Sequence, residues 1–429
     1  MSERKRIYLC LAHMSDDGAE QRYVKEAFDT NWVVPLGPNV NGFEKDLEQF
    51  VNNREPLTVN HEPLAKRVVA LSSGTAAVHL ALINCGVKAG DEVCVQSFTF
   101  CASSHPITYL GATPVFIDSE KDTWNMDPDL LEEAIKDRIA KTGRKPKAIV
   151  PVALYGMPYN DDRIMEIANR YDIPVVEDAA EGFGSRWKGQ VLGTFGKYGV
   201  LSFNGNKMIT TSGGGALVTA NEEEWREIMM YATQYRESYP YYQHEKIGFN
   251  YRMSNICAGI GRGQMTVVND HIAHHKKVQK MYEELLKDVP GIKVHAQPTT
   301  GEYDSNYWLC TITLDENLKI KGQENAYKTI VTGAVGGAAG VIHAASSAIT
   351  DCQPNDNVEA LRVFMDAAGI EARPVWKPMH KQPVYKNGPA YVNGVSEAIF
   401  KVGMCLPAGP YVSDEDVKYI VDTIKSAIL

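Results

Sequence analysis

Residues 67–86, RVVALSSGTAAVHLALINCG, carry the pattern that decides the fold. The apolar run RVVALSS predicts a buried strand, and TAAVHLALINCG predicts a helix that ends near Gly86. The alternation continues to about residue 220, with further predicted strands at DEVCVQS, TPVFID, KAIVPVAL, PVVEDAA, KYGVLSF and GGALVTA. Helical stretches separate most of these strands, and strands joined in this way form right-handed βαβ units. We therefore expect an α/β fold with a mostly parallel sheet.

The pattern changes after about residue 265. A polar helix is predicted over residues 269–287, and NYWLCTITL and IEARPVW predict strands of a smaller α+β domain that ends with the helix DEDVKYIVDTIKSAIL. We expect a large domain over residues 1–265, which includes the N-terminal segment, and a small C-terminal domain over residues 266–429. A Gly/Ala-rich insertion near residues 331–350 matches no motif; a flexible surface insertion is favoured over a packed small-residue helix.

Composition limits the possible partners. The 429 residues carry a net charge of −9, which argues against a dedicated nucleic-acid-binding protein, because phosphate backbones require clustered positive charge. No apolar stretch is long enough to span a membrane or to form the core of a signal peptide. The eight cysteines contain no CxxC pair, which favours a reduced set. We therefore expect a cytoplasmic protein with no membrane or nucleic-acid partner.

Three short motifs follow predicted strands. Gly74 and Thr75 in Ser-Gly-Thr stand between a strand and a helix, where a phosphate would bind, although an ordinary helix cap is the default interpretation. Asp178 ends an apolar strand at the edge where α/β sheets bind ligands, but such residues are just as often helix caps. Lys207 lies between an apolar strand and a glycine run, which is unusual for a surface lysine. In this order, the three motifs supply the anion site, the carboxylate and the amine that a pyridoxal 5′-phosphate (PLP) enzyme needs.

A longer set of segments then indicates a family. The segments SSGTAAVHLAL, GDEVCVQSFTFCASS, LGATPVFID, VVEDAAEGFGS, SFNGNKMITTSGGGALVT and GFNYRMSN resemble the DegT/DnrJ/EryC1/StrS aminotransferases. These are fold-type-I PLP-dependent transferases that aminate sugars. The resemblance runs in order over residues 20–265 and resumes at RPVWKPMH and GMCLPAG. NWVVPLGPNVNGFE and RPVWKPMHKQPVY are most similar to the UDP-4-keto-6-deoxy-N-acetylglucosamine 4-aminotransferases of bacillosamine synthesis.

The resemblance implies a role for each matching residue. Lys207 matches the catalytic Schiff-base lysine; members with histidine at this position are dehydratases, so transamination is favoured. Asp178 matches the partner of the pyridinium nitrogen, Glu181 lies beside the 3-hydroxyl, and Phe100 stacks on the ring. The implied phosphate contacts are Gly74, Thr75, Ser202 and Asn250, of which Asn250 reaches the cofactor from the other subunit of a homodimer. The implied substrate-binding residues, for which ordinary surface or core positions are the alternative, are Trp376, Lys377 and His380.

The expected reaction is transamination of a nucleotide-linked 4-keto-6-deoxy sugar, UDP-linked, with glutamate as amino donor, for surface glycan or glycoconjugate biosynthesis. One alternative is amination at C3 of a dTDP- or UDP-linked keto sugar. A second is a non-catalytic regulatory protein with the same fold, which would have no need for Lys207. A third is an NAD-dependent enzyme, but no GxGxxG follows a strand, and GIGRG at 259–263 lies in a predicted helix, where it indicates close helix packing.

A histidine cluster suggests a metal site only weakly. His271, His274 and His275 have helical spacing, but no nearby carboxylate or cysteine set completes a ligand group. A solvated helix face is the favoured interpretation, and we expect no metal.

Overall fold

The computed structural model describes residues 5–53, 66–327 and 352–429. The Gly/Ala-rich segment near residues 331–350 lies outside the described residues, so its predicted character remains a prediction.

The first part of the chain alternates helices and strands. Its helices are α1 (Ala19–Asp29), α2 (Pro38–Val51), α3 (Gly74–Asn84), α4 (His105–Tyr109), α5 (Pro128–Thr142), α6 (Asp161–Tyr171), α7 (Glu222–Ala232) and α8 (Asn255–Met265). Its strands are β1 (Arg67–Leu71), β2 (Glu92–Gln96), β3 (Thr113–Ile117), β4 (Ala148–Val150), β5 (Val176–Asp178), β6 (Arg186–Trp187), β7 (Gln190–Val191), β8 (Tyr198–Ser202) and β9 (Gly215–Thr219).

The second part begins with a long helix. Its helices are α9 (Val268–Leu286), α10 (Asp356–Ala367), α11 (Val395–Val402) and α12 (Asp414–Ala427). Its strands are β10 (Ile292–Val294), β11 (Tyr303–Asp304), β12 (Cys310–Leu314), β13 (Arg373–Pro374), β14 (Ala390–Tyr391) and β15 (Gly403–Leu406).

The central sheet is mostly parallel, as predicted. Its strand order is β14-β3-β2-β4 on one side and β5-β8-β9-β1 on the other, and parallel bridges from Ile149 to Val175 and from Val152 to Asp178 join β4 to β5. Among the described strands of this sheet, β9 alone is reversed, and it runs antiparallel to both β8 and β1. Since the chain between β8 and β9 has no crossover helix, the two strands can pair antiparallel. Lys207 lies in this connection.

A second sheet, in the order β10-β12-β15-β13, is antiparallel throughout. A separate core of buried residues from this sheet and from α9, α10 and α12 packs beside it. Two segments cross the predicted division at residue 265. Ile7 belongs to this second core and bridges Ile370, whereas β14 adds to the edge of the large sheet. The domain boundary itself remains a prediction.

Several predicted strands are shorter than their apolar runs. KAIVPVAL contributes only β4, because the chain turns at Leu154–Gly156. IEARPVW contributes only Arg373–Pro374. Between β2 and β3, the chain forms a short turn at Cys101–Ser103 and then α4, since Pro106 cannot donate a helical hydrogen bond. An apolar run therefore marks a buried strand better than it marks the strand's ends.

The glycines of GIGRG pack helix α8 closely against the N-terminal helices. An added Cβ at Gly261 would lie 2.7 Å from the ring of Phe43, and one at Gly263 would lie 2.5 Å from the backbone nitrogen of Glu20. Only glycine fits at such distances. The interpretation of this motif as a helix-packing element is confirmed.

The solvated-face interpretation of the histidines on α9 is wrong. His271 and His275 are buried, and their Nδ1 atoms lie 3.3 Å and 3.1 Å from the carbonyl oxygens of Met208 and Tyr307. Burial lowers the pKa of His275 to about 3. The helix is amphipathic, and these residues share its buried face with Val278. Within the described ranges, no three His, Cys, Asp or Glu side chains form a group that could hold a metal ion.

None of the helices in the described ranges is both long enough and apolar enough to cross a membrane. The cytoplasmic location stays a prediction.

Candidate active site

A cavity of about 400 Å³ opens at the carboxyl ends of β5 and β8, beside the start of α3. Open α/β sheets bind ligands at this edge, because backbone N–H groups of the following helices converge there. The cavity brings together most of the residues singled out from the sequence. These are Gly74, Thr75, Phe100, Asp178, Glu181, Ser202, Lys207 and Trp376.

Helix α3 presents its N-terminus to the cavity. Ser73 caps the helix, with its side chain accepting a hydrogen bond from the backbone N–H of Ala76, so the cap interpretation is correct for this residue. The preceding N–H groups of Gly74 and Thr75 lie in the first turn, where helices leave donors without intrahelical partners. A Cβ added at Gly74 would lie 3.1 Å from that of Ser202, so glycine lets these two segments approach closely. The result is an anion site with a favourable helix dipole.

Asp178 places a buried carboxylate at the floor of the cavity. Its Oδ2 accepts a hydrogen bond of 2.6 Å from Ser103 Oγ, and its Oδ1 accepts one of 3.1 Å from the backbone N–H of Ala180. Burial raises the pKa of the Asp178 carboxyl, and the two hydrogen bonds and the charge of Lys207 partly offset this effect. Such a carboxylate would gain from a positively charged ring nitrogen placed beside it.

The amine of Lys207 reaches into the same cavity. Its Nζ lies 3.3 Å from Glu181 Oε1 and 3.9 Å from the ring centroid of Trp308. The other oxygen of Glu181 accepts a hydrogen bond of 2.8 Å from the backbone N–H of Tyr155. Burial raises the pKa of the Glu181 carboxyl, and the charge of Lys207 opposes that rise. The carboxylate therefore has one oxygen fixed by the backbone and one directed to the amine.

Tyr155 connects the Lys207–Glu181 pair to Trp376 at the opening of the cavity. Its backbone has a left-handed conformation, with φ of 53°. A non-glycine residue adopts that conformation only when its surroundings require it. The phenol oxygen accepts a hydrogen bond of 2.7 Å from the backbone N–H of Trp376, and the ring stacks with both Trp376 and Trp308. This strained turn thus orients the N–H that holds Glu181.

Two aromatic side chains stand at the mouth of the cavity. Phe100 is 49% exposed, and its ring centroid lies 5.4 Å from that of Trp376. A flat ligand that entered above Asp178 would find the Phe100 ring on its open side.

Three candidate residues do not line the cavity in the described chain. Asn250 is exposed, on a segment that pairs with Thr233. His380 lies behind the wall, where its Nδ1 is 2.6 Å from Ser97 Oγ, and burial lowers its pKa. Lys377 follows Trp376 but is not among the lining residues. The substrate role predicted for Lys377 and His380 therefore has no support from the residues that line the cavity.

Sequence reasoning missed three residues of the site: Ser103, Tyr155 and Trp308. Each is remote from Lys207 in sequence, and nothing in a single sequence joins them to it. The one local signal was the glycine after Tyr155, since Gly156 also has a positive φ and often marks a sharp turn.

The cavity fits PLP on its own geometry. That cofactor needs an anion site for its phosphate, a carboxylate for its ring nitrogen and an amine for its aldehyde. The start of α3, Asp178 and Lys207 supply these three groups around one cavity. The helix start can accept the phosphate without a side-chain cation, because its free N–H groups and dipole favour negative charge.

Comparison with known proteins agrees with the fit of this cavity to PLP. The chain is 40% identical to EpsN of Bacillus subtilis, named as a pyridoxal phosphate-dependent aminotransferase, over 98% of this chain and 95% of that protein. It is 33% identical to a GDP-perosamine synthase of Escherichia coli O157:H7, over 97% of this chain and 98% of that one. The crystal structure of a DegT DnrJ EryC1 StrS aminotransferase from Brucella abortus superimposes with a TM-score of 0.78 at 26% identity, covering 96% of this chain and 95% of that one.

These relatives do not favour the bacillosamine-type subclass, since a perosamine synthase is among them. The family match itself covers residues 14–335 and 324–425, which is nearly the whole chain. The chain therefore belongs to the DegT/DnrJ/EryC1/StrS aminotransferase family and is a PLP-dependent aminotransferase with the fold of those enzymes.

Proposed function

We propose that this aminotransferase transfers the amino group of glutamate to a nucleotide-linked 4-keto-6-deoxy sugar, UDP-linked, for surface glycan or glycoconjugate biosynthesis. The observation that carries the proposal is the single cavity that unites the start of α3, Asp178 and Lys207. A regulatory protein of the same fold would have no use for a half-buried amine beside a carboxylate.

Lys207 is the residue that moves protons in this proposal. PLP, when bound, supplies the electron sink that makes a proton on the neighbouring carbon removable. Lys207 would hold the cofactor between turnovers and would be freed when the amino donor takes its place. Its Nζ would then take the proton from the donor's α-carbon and give it to the cofactor carbon that bears the amino group. In the second half of the reaction, Nζ would take a proton from that carbon and deliver it to the sugar carbon.

Asp178 supports the same chemistry from the floor of the cavity. Its ionised carboxylate favours a protonated ring nitrogen, which is the better electron acceptor. Ser103 and the backbone of Ala180 fix its two oxygens, so the charge is already oriented. Preorganised charge of this kind needs no rearrangement during the reaction.

The charges around the cavity support a homodimer with shared active sites. Among the described residues that line it, Lys207 is the one cation, whereas Asp178 and Glu181 are both acidic. Glutamate brings carboxylates, and a nucleotide sugar brings a diphosphate, so further donors must come from outside this wall. The segment before Asn250 exposes Tyr239, Tyr241, Tyr242 and Ile247. Such a patch is typical of a protein interface, and the pairing would bring Asn250 to the partner's cavity.

Trp376 is the substrate-side residue that the geometry favours. It lines the opening beside Phe100, and its backbone N–H donates to the Tyr155 phenol. A sugar ring would pack its apolar face on this indole. Lys377 and His380 are farther from the cavity, so we propose that they support the Trp376 segment rather than contact the sugar.

The test is direct amination with isotopically labelled glutamate. The purified, PLP-loaded protein is incubated with 4-keto-6-deoxy sugars linked to UDP, GDP or dTDP and with 3-keto analogues, and products are read by mass spectrometry and NMR. We expect labelled nitrogen at C4 of the UDP sugar. Labelling at C3, or of a GDP sugar alone, would show that the UDP-linked 4-keto sugar is not the substrate. Absence of label in every sugar, or full turnover by Lys207→Ala, would overturn the proposal.

A further inference from the structure

We propose that Trp308 is a positioning residue that holds the free amine of Lys207 beside Glu181. The inference rests on the proposed role of Lys207 and extends it to a residue that the sequence did not indicate. An ammonium over an aromatic face is attracted by the negative potential of the ring, and the attraction grows when water is excluded.

The geometry has the form of a cation–π contact. Lys207 Nζ lies 3.9 Å from the ring centroid of Trp308, which is only 1% exposed. The same Nζ lies 3.3 Å from Glu181 Oε1. The amine thus has a carboxylate and an indole face as its neighbours, in a pocket where it is itself largely covered.

The indole cannot easily turn away. Its Nε1 donates a hydrogen bond of 2.6 Å to the backbone oxygen of Asn206, next to Lys207 in the chain. Its backbone N–H donates to Asn306 Oδ1 at 2.8 Å, and Asn306 Nδ2 donates to the backbone oxygen of Glu181 at 2.9 Å. The ring, the amine's loop and the carboxylate's loop are therefore tied together.

This arrangement suits a lysine that is alternately bound and released. When the amino donor displaces it, Lys207 needs a place within reach of the reacting carbon. After it takes a proton it is an ammonium, which a buried site would otherwise disfavour. A carboxylate fixes a cation by a directional hydrogen bond, whereas a ring face tolerates lateral movement. Trp308 therefore stabilises the protonated amine without locking it in one position.

The first experiment uses the apoprotein, so that it does not depend on turnover. Acetylation of Lys207 by acetic anhydride at fixed pH is measured by mass spectrometry in wild type, Trp308→Phe and Trp308→Leu. Only the uncharged, accessible amine reacts, so we expect Lys207 to react about fivefold faster in Trp308→Leu and about twofold faster in Trp308→Phe.

The matched control is Trp225→Phe. Trp225 also has a cation over its ring, Arg67 at 4.5 Å, and also donates its indole N–H to a backbone oxygen, that of Val68, but it lies outside the cavity. Its substitution should leave Lys207 acetylation unchanged. In the loaded enzyme, the acid limb of the kcat profile, which reports the amine after the donor has displaced it, should move to lower pH in Trp308→Leu, less in Trp308→Phe and not in Trp225→Phe. A merely structural role would not produce that order.

Equal acetylation rates in wild type and both Trp308 variants, or faster labelling with an unmoved pH profile, would overturn the inference. If circular dichroism shows that Trp308→Leu is not folded, the comparison of wild type with Trp308→Phe alone decides the test. Borohydride reduction of the PLP-loaded enzyme tests the proposed role of Lys207 separately from the role of Trp308. Reduction that still fixes the cofactor to Lys207→Ala would overturn the role of Lys207 and this inference with it, whereas normal fixation to Lys207 with unchanged Trp308 variants would overturn only the role of Trp308.

Discussion

Lys207 and Glu181 form an ion pair at the floor of the cavity, with the amine nitrogen 3.3 Å from Glu181 Oε1 and side-chain exposures of 13% and 4%. The pair joins the loops that follow β5 and β8, two neighbouring strands of the central sheet. Burial raises the pKa of Glu181, and the lysine charge lowers it again. The lysine charge therefore favours the charged form of this carboxylate in a site that is partly closed to water.

The first prediction concerns stability in the apoprotein of Lys207→Met. An acid with a raised pKa in the folded state contributes stability at pH values below its unfolded pKa, and that contribution is lost as pH rises through the folded pKa. Removing Lys207 raises the pKa of Glu181 further. Lys207→Met should be less stable than wild type. We expect this loss in the free energy of unfolding to be about 1–2 kcal/mol larger at pH 8 than at pH 5.

Chemical denaturation of both apoproteins at the two pH values provides the measurement. The double variant Lys207→Met with Glu181→Gln removes the unpaired carboxylate and should recover most of the difference. An equal gap at both pH values would show that the two side chains are not coupled.

The second prediction concerns Asp178→Asn. The amide can still accept from the backbone N–H of Ala180 but loses the charge opposite the ring nitrogen. We expect the rate of the glutamate half-reaction to fall about a hundredfold, equivalent to ~2.7 kcal/mol of barrier, while the cofactor remains attached to Lys207. Stopped-flow absorbance measures this step. Ser103→Ala keeps the carboxylate and loses one hydrogen bond, so it should lose far less, and an equal loss in both variants would contradict a charge effect.

The third prediction concerns Tyr155→Phe. Its phenol accepts the backbone N–H of Trp376, and without it that N–H lacks this acceptor. We expect the free energy of unfolding to fall by about 1–2 kcal/mol and KM for the sugar to rise, with the glutamate half-reaction unchanged. Tyr282→Phe is the matched control, because its phenol donates to the Pro407 oxygen at 2.9 Å in the core beside the second sheet. Tyr282→Phe should lose a similar free energy of unfolding and keep the wild-type KM for the sugar. A change in KM in both variants would contradict a specific role of Tyr155 in positioning Trp376.

The fourth prediction tests whether the active sites are shared between subunits. Lys207→Ala and Asn250→Ala should each have little activity alone. If Asn250 serves the partner's site, a mixed dimer contains one site with both residues intact, and random mixing should restore about a quarter of wild-type activity. The control mixes Lys207→Ala with Asp178→Asn, which belong to the same half of the site and should not complement. Absence of recovery in the first mixture, after exchange is confirmed by mass spectrometry, would contradict the shared site.

Part of the site could be predicted because its signals are local. Gly74 and Asp178 stand at a helix start and a strand end, and Lys207 lies five residues after the end of β8. Each position is fixed by the run of apolar residues before it, which places the following residue at the ligand edge of the sheet. The reversed direction of β9 is not encoded in its own residues and depends on its neighbours on both sides.

The wrong prediction for the α9 histidines and the failure to identify Trp308 from the sequence have a common physical cause. The polar composition of α9 predicts that His271 and His275 are exposed, but the buried face of the helix is set by what packs against it. Trp308 lies 101 positions after Lys207 in the printed sequence, yet its ring covers the amine. A single sequence carries no measure of such distances.

The sequence by itself determined the α/β alternation, the start of α3, the strand-end carboxylate and the loop lysine, since each depends on contacts along a few neighbouring residues. Only the tertiary structure decided that Glu181, Tyr155 and Trp308 surround the amine of Lys207, which parts of the 376–380 segment line the cavity, and which carboxyls have raised pKa values. Burial and Coulomb interactions depend on the three-dimensional separation of groups, and folding brings together side chains that are far apart in the chain.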